Sequence, residues 1–168
     1  MSLPSRLPAS LVVVLLALVG CVSDDAIPVS SAHDPLARFP AQATYAWDDA
    51  AIELPDDPQI DRAETDALFK EVANEAFAER GYRVGTPPAD YQLSYHYVVH
   101  TRISAEKSKS VGSVSLLLVE SASRRRVWLG FGRAEIYVGL TREERKARLR
   151  DALERMLEHF PPTQRPGE

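Results

Sequence analysis

The chain has 168 residues, with 20 Lys and Arg against 24 Asp and Glu, a net charge of −4 and one cysteine. The acidic balance argues against nucleic acid as a partner, and a single Cys excludes an internal disulfide. Length and composition leave room for one domain with a real core. Taken from its start, the chain has one charge, Arg6, before Asp24, and Leu11 to Val19 (LVVVLLALV) is an apolar run of nine residues. Such a run fits the core of a signal peptide and is too short for a membrane span, which needs about 18 apolar residues or more.

The run ends in Leu18-Val19-Gly20-Cys21, which resembles the lipobox of bacterial lipoproteins. An ordinary secretory leader with Gly20 before the cut is the competing reading. Leucine three places before the cysteine and glycine directly before it favour the lipobox. That resemblance implies a signal peptide over residues 1–20, a lipid joined to Cys21, and a mature chain that begins there. It also accounts for a lone thiol in an oxidising periplasm. Each buried CH₂ contributes about 0.8 kcal/mol, so several acyl chains anchor stably. In Gram-negative lipoproteins an Asp after the cysteine marks inner-membrane retention. Val22 stands there instead, which implies the outer membrane with the domain facing the periplasm. Loss of Arg6 with the leader takes the mature charge to −5.

Residues 21–42 lack periodicity and are rich in Ser, Ala, Asp and Pro (Pro28, Pro35, Pro40). Their composition predicts a flexible tether from Cys21, with any order confined to the neighbourhood of Phe39. Ala43-Thr44-Tyr45-Ala46-Trp47 reads as a short strand. Asp48 to Asp57 is acidic and broken by Pro55, hence a loop; its paired acids lack the ligand spacing of a calcium loop. A helix follows, with two competing starts: Asp57 before Pro58, or Asp61 with Glu64 three residues on. Leu68, Phe69, Val72, Ala73, Ala76 and Phe77 share one face, and Glu64, Glu71 and Glu75 the other. Gly81 supplies the stop.

Tyr82-Arg83-Val84 offers a short strand, closed by Gly85-Thr86-Pro87-Pro88. From Tyr91 the chain alternates strictly. Leu93, Tyr95, Tyr97, Val99, Thr101 and Ile103 are expected on the core side, with Gln92, Ser94, His96, Val98, His100 and Arg102 largely in water. Ser104 to Ser110 reads as a turn. Val111 to Val119 is a strand apolar enough for the middle of a sheet, and Arg126 to Val138 is the next. Short connections make these three an antiparallel meander. Gly130 and Gly132 suggest a bulge or something packed closely across the strand. Thr141 with Glu144 forms a capping box, and Leu149, Ala152, Leu153, Met156 and Phe160 form the stripe of a second helix, ended by Pro161-Pro162. The far side of that helix is charged. Residues 163–168 read as a disordered tail. The economical fold is a single α+β domain over 43–162: a two-layer sandwich, its sheet mostly an antiparallel meander, with two helices packed on one face.

The order of these pieces resembles the lipoproteins grouped as domain of unknown function 4136 (DUF4136). The similarity is carried by Thr44-Tyr45-Ala46-Trp47, Ile60-Asp61, Arg80-Gly81-Tyr82, Ala89-Asp90-Tyr91-Gln92-Leu93, Val127-Trp128-Leu129-Gly130 and Phe160-Pro161-Pro162. It spans roughly Phe39 to Pro162. Ser104 to Ser110 is shorter than the Gly-rich connection of many relatives, so a function carried by that loop is not implied. What is implied is an exported lipoprotein with a small α+β domain; no catalytic residue comes with it.

The residues themselves point to no enzyme, no cofactor and no metal. His96 and His100 are four strand residues apart, roughly 13 Å, too far for one ion. Gly112-Ser113-Val114-Ser115 is not a nucleophile elbow, and Gly130-Phe131-Gly132 is not a dinucleotide loop, since Glu135 holds the third glycine's place. Arg124-Arg125-Arg126 reads as a solvated hairpin tip. The expected role is a non-enzymatic module that is attached to the membrane through acylated Cys21 and binds an envelope protein. The alternatives are a small-ligand carrier, with a tyrosine-lined pocket between helices and sheet, and, with the least support, a periplasmic hydrolase using Asp90, His96 or His100.

Overall fold

The computed structural model describes residues 27–57, 60–103, 108–137 and 139–160, with backbone alone at 101–103 and 108–109. Cys21, the leader, Pro161-Pro162 and the tail lie outside the described residues. In chain order the elements are β1 (Val29–His33), β2 (Ala43–Trp47), a 3-10 turn (Asp49–Ala51), α1 (Arg62–Ala78), β3 (Tyr82–Val84), β4 (Tyr91–Ile103), β5 (Ser108–Glu120), β6 (Arg126–Ile136) and α2 (Arg142–Met156). None of the described helices is long and apolar enough to cross a membrane.

The fold is α+β. Its six strands lie in the order β1-β6-β5-β4-β2-β3. The meander β4-β5-β6 is antiparallel, as its short connections require, but the sheet as a whole is mixed. β2 runs parallel to β3 on one side and to β4 on the other. Parallel neighbours need a crossover; α1 supplies it between β2 and β3.

A second correction concerns residues 27–42, which belong to the fold and not to a spacer. Ile27, Ala37 and Phe39 are buried in the core, and Val29–His33 pairs antiparallel with β6 from Gly132 to Trp128. This strand carries no apolar alternation. Its partner, an otherwise open edge of β6, supplies the order that its own side chains do not.

β4 begins at Tyr91 as the alternation requires. Its core-side residues Tyr91, Leu93 and Tyr95 meet Leu116 and Leu118 of β5 and Trp128 of β6. The buried residues of α1 (Leu68, Phe69, Val72, Ala73, Ala76, Phe77) and α2 (Ala152, Leu153, Met156) close over them in one cluster. β5 is central. The bulge lies not at Gly130 or Gly132 but at Val127, where the β5–β6 register slips. The two glycines answer to close packing instead. A Cβ at Gly130 would strike the Trp128 ring, and one at Gly132 the Met156 methyl.

Of the two helix starts the structure uses Asp61, whose Oδ1 accepts from Glu64 N at 2.9 Å. Thr141 and Glu144 form the full capping box of α2. α2 ends at Met156, before the prolines. Arg80 ties the ends of both helices together: its Nε donates to Leu157 O at 2.9 Å and its Nη1 to Ala76 O at 2.8 Å, in the last turns where carbonyls lack intrahelical partners.

The charged faces of the helices do not simply meet water. They meet each other. Glu64 pairs with Arg145, Glu71 with Arg142 and Lys146, and Glu75 with Lys146 and Arg150. Hydrogen bonds from Lys146 and Arg142 hold the Glu71 carboxyl below its ordinary value. A depressed folded value means the stabilisation is present above the ordinary carboxylate range and is lost as pH falls through the folded value. Glu71→Gln is therefore expected to lower the Tm at neutral pH in low salt. The difference should shrink in molar salt, which screens exposed pairs, and vanish in acid; thermal melts at two salts and across pH check this.

Candidate functional site

The residues singled out for chemistry do not converge. Asp90 opens β4, and its Oδ2 accepts from Thr44 N at 2.7 Å and Thr44 Oγ1 at 2.8 Å. Asp90 N in turn donates to Thr44 Oγ1 at 3.2 Å. The backbone and hydroxyl donors of Thr44 hold this carboxyl below its usual range. It clamps β2 to β4 as an acceptor, and a carboxylate so stabilised is a weak base. His96 stands six strand residues away, roughly 20 Å, with Nδ1 3.3 Å from Glu53 Oε2. His100 is exposed a further four residues on. No group of three His, Cys, Asp or Glu among the described residues could hold a metal ion. At the hairpin tip Arg124 donates to Gln92 at 3.2 Å and Arg125 pairs with Asp34 at 3.2 Å.

The tyrosines expected to line a pocket instead fill the space between helices and sheet. Tyr45 donates to Asn74 Oδ1 at 2.7 Å, Tyr82 to Pro40 O at 2.8 Å, Tyr91 to Arg38 O at 2.8 Å and Tyr95 to Asp66 Oδ1 at 2.8 Å. Burial pushes the hydroxyls of Tyr45, Tyr82 and Tyr95 well up from their ordinary value, so they stay protonated donors. Tyr45 and Tyr95 fasten α1 to the sheet, and Tyr82 and Tyr91 fasten the segment that leads from β1 to β2.

Asn74 is the residue that sequence reasoning missed. It also accepts from Trp47 Nε1 at 3.1 Å. Its signal was a lone amide, a poor helix former, beside the buried stripe. Asn74→Ala strands two donors at the edge of the core and is expected to cost about 1–3 kcal/mol; urea denaturation measures it.

Two clefts lie at the margins. One, about 750 Å³ and open, is bordered by Phe39, Pro88, Asp90, Tyr91 and Glu120 at the start of β4. The other, about 450 Å³, lies beside Asp49, Leu54, Arg62, Asp66 and Lys70. Lys70 bridges Asp49 and Asp66 at its rim, at 2.7 and 2.9 Å.

The larger feature is the face of the sheet turned away from the helices. Register places Arg133, Ser113 and Val98 in one row across β6, β5 and β4. Phe131, Ser115 and His96 form the next, and Leu129, Leu117 and Ser94 the third, where Ser94 is buried and not in water as the alternation suggested. Val98 is 41% and Phe131 39% exposed, large apolar side chains on a face whose other exposed members are polar. Chemically this face sets two separated apolar side chains among hydroxyls, imidazoles and Arg133.

The profile of the family described as Domain of unknown function (DUF4136) matches residues 29–162. The chain belongs to this family. The match starts at the first residue of β1, in keeping with that strand's place in the fold. No curated protein matches the sequence.

Solved structures do share the fold of this DUF4136 chain. The PelC dodecamer from Paraburkholderia phytofirmans aligns with TM-score 0.50 at 14% identity over 79% of this chain and 95% of that one. A PDZ domain protein from Parabacteroides distasonis aligns with TM-score 0.53 at 11% identity over 83% of this chain and 36% of that one. Lipoprotein GNA1162 from Neisseria meningitidis aligns with TM-score 0.46 at 15% identity over 70% and 99%. At such identities the first two likenesses speak for the fold alone.

Proposed function

We propose that this DUF4136 protein is an exported lipoprotein, acylated on Cys21 and held at the periplasmic side of the outer membrane, whose domain acts by binding and not by catalysis. The observation that carries the binding role is the open face of the sheet, with Val98 and Phe131 exposed among polar neighbours. Large apolar side chains left uncovered by the fold's own helices, set among groups that can hydrogen-bond, suit a protein contact. Membership of DUF4136 and the Leu18-Val19-Gly20-Cys21 sequence support the envelope setting. The scatter of Asp90, His96 and His100 supports a non-enzymatic role, since function is argued from a convergent site.

The partner is an envelope protein. Detergent-solubilised lipoprotein, used to capture components from envelope extracts, is expected to enrich a partner that Val98→Glu with Phe131→Glu no longer enriches. Equal capture by both proteins, or none by either together with an unchanged envelope on deletion, would remove the reading.

A further inference from the structure

A spacer running to Gln42 would let the domain float far from a lipid on Cys21. The fold begins much earlier. Ile27 is buried, Pro28 O accepts from Arg133 N at 3.1 Å, and β1 is the edge strand beside β6. Only Val22, Ser23, Asp24, Asp25 and Ala26 stand between Cys21 and Ile27. At about 3.3–3.6 Å per residue, six steps of chain reach at most about 20 Å, whatever path they take. β6 alone, with its 11 residues, is longer, about 35 Å. The domain is therefore held within less than its own length of the bilayer, by a fixed point on its surface.

That point has a distinctive chemistry. The chain enters the fold beside Arg133, which is exposed on β6. Just past the end of the same strand Tyr137 is 43% exposed, and the Arg148 guanidinium of α2 lies 4.7 Å from its ring centroid. Arg148 Nη2 also donates to Glu135 O at 3.4 Å, which fixes it beside the strand. A tyrosine with its ring partly exposed, one arginine over it and another four residues back along the chain, about 13 Å, suit the headgroup layer: the ring sits at the boundary of apolar and wet, and the guanidinium groups meet lipid phosphates.

We propose that the domain rests directly on the lipid surface through this end of the sheet, with Arg133, Tyr137 and Arg148 among the headgroups. The proposal rests on the acylated-Cys21 reading. It leaves the rest of the open face, Val98 and Phe131 included, for the periplasmic partner.

The test uses the full chain, purified from membranes and reconstituted into phosphatidylethanolamine and phosphatidylglycerol vesicles that carry a headgroup-level nitroxide quencher. Acylated Cys21 has no free thiol, so one introduced cysteine takes the fluorophore. Labels on Tyr137→Cys and on Glu143→Cys, both at the proposed contact end, are compared with one on Ala122→Cys at the hairpin tip beyond the opposite end of β6. Several-fold stronger quenching at either 137 or 143 than at 122 is the expected result. Equal quenching at both ends, or stronger quenching at 122, overturns the proposal. The mass of the N-terminal peptide from the same sample separates the two failures. With Cys21 acylated only this proposal falls; without acylation the lipoprotein reading falls too.

Discussion

Phe160→Ala is expected to destabilise the domain by about 3–5 kcal/mol, the range for deleting a buried aromatic ring. Phe160 lies beyond the end of α2, yet it touches rings from four other segments. Its centroid is 5.7 Å from Phe39, 5.4 Å from Phe77, 5.0 Å from Tyr82 and 5.2 Å from Trp128. These belong to the segment after β1, to α1, to β3 and to β6. Truncation opens a cavity where all four meet, and no single neighbour can move to fill it without leaving the others. A loss of this size is a large share of the 5–15 kcal/mol that typical domains possess. Urea denaturation should show a lower midpoint with little change in slope. Because Phe39 is one of the four, the variant should also loosen the residues that lead from β1 to β2, read as faster amide exchange there than in β5.

The second large effect is expected at Gly81. Its φ is +85°, in the left-handed region, and a Cβ there would collide with Ala41 O. Gly81 O also accepts from Ala43 N at 3.3 Å, so the residue that stops α1 also sets the start of β2. Backbone strain and a backbone clash add, and neither is relieved by a side-chain rotation. Gly81→Ala should therefore cost about 2–4 kcal/mol. Gly139 separates the two causes. Its φ is +87°, but nothing lies within 4 Å of where a Cβ would stand. Gly139→Ala should carry the strain alone, about 1 kcal/mol. Denaturation of the two variants side by side tests the argument; equal losses would contradict the clash.

Where side-chain period is dictated by burial, the sequence could be read to the residue. The alternation from Tyr91 places the start of β4, and the six apolar positions of α1 are the six it buries. Thr141 and Glu144 announce α2 in the same direct way. β1 was not legible, because Val29-Ser30-Ser31-Ala32-His33 has no alternation to show; its order comes from the edge of β6. The place of β2 between β3 and β4 was hidden for a different reason. A strand's own sequence says that it pairs, but its neighbours are set by how α1 carries the chain back. The pairing of the Glu face of α1 with the basic face of α2 was not legible, since a charge looks the same in sequence whether it faces water or an opposite charge on the next helix. For the site, the outward positions of His96, Val98 and His100 followed from the period, whereas Phe131 joined them only through the β5–β6 register. The proposed anchor depends on the same strand, since order from Ile27 leaves five residues between Cys21 and the fold.

The proposed compartment, the short tether and the membrane-facing end all depend on the acylation of Cys21. Mass spectrometry of the mature N-terminus from separated inner- and outer-membrane fractions, with Cys21→Ala as control, tests it most directly. The expected result is a chain that begins at an acylated Cys21 in the outer-membrane fraction, and a Cys21→Ala protein lost from it. An unmodified Cys21, or a mature chain that begins elsewhere and runs in the soluble fraction, would contradict it.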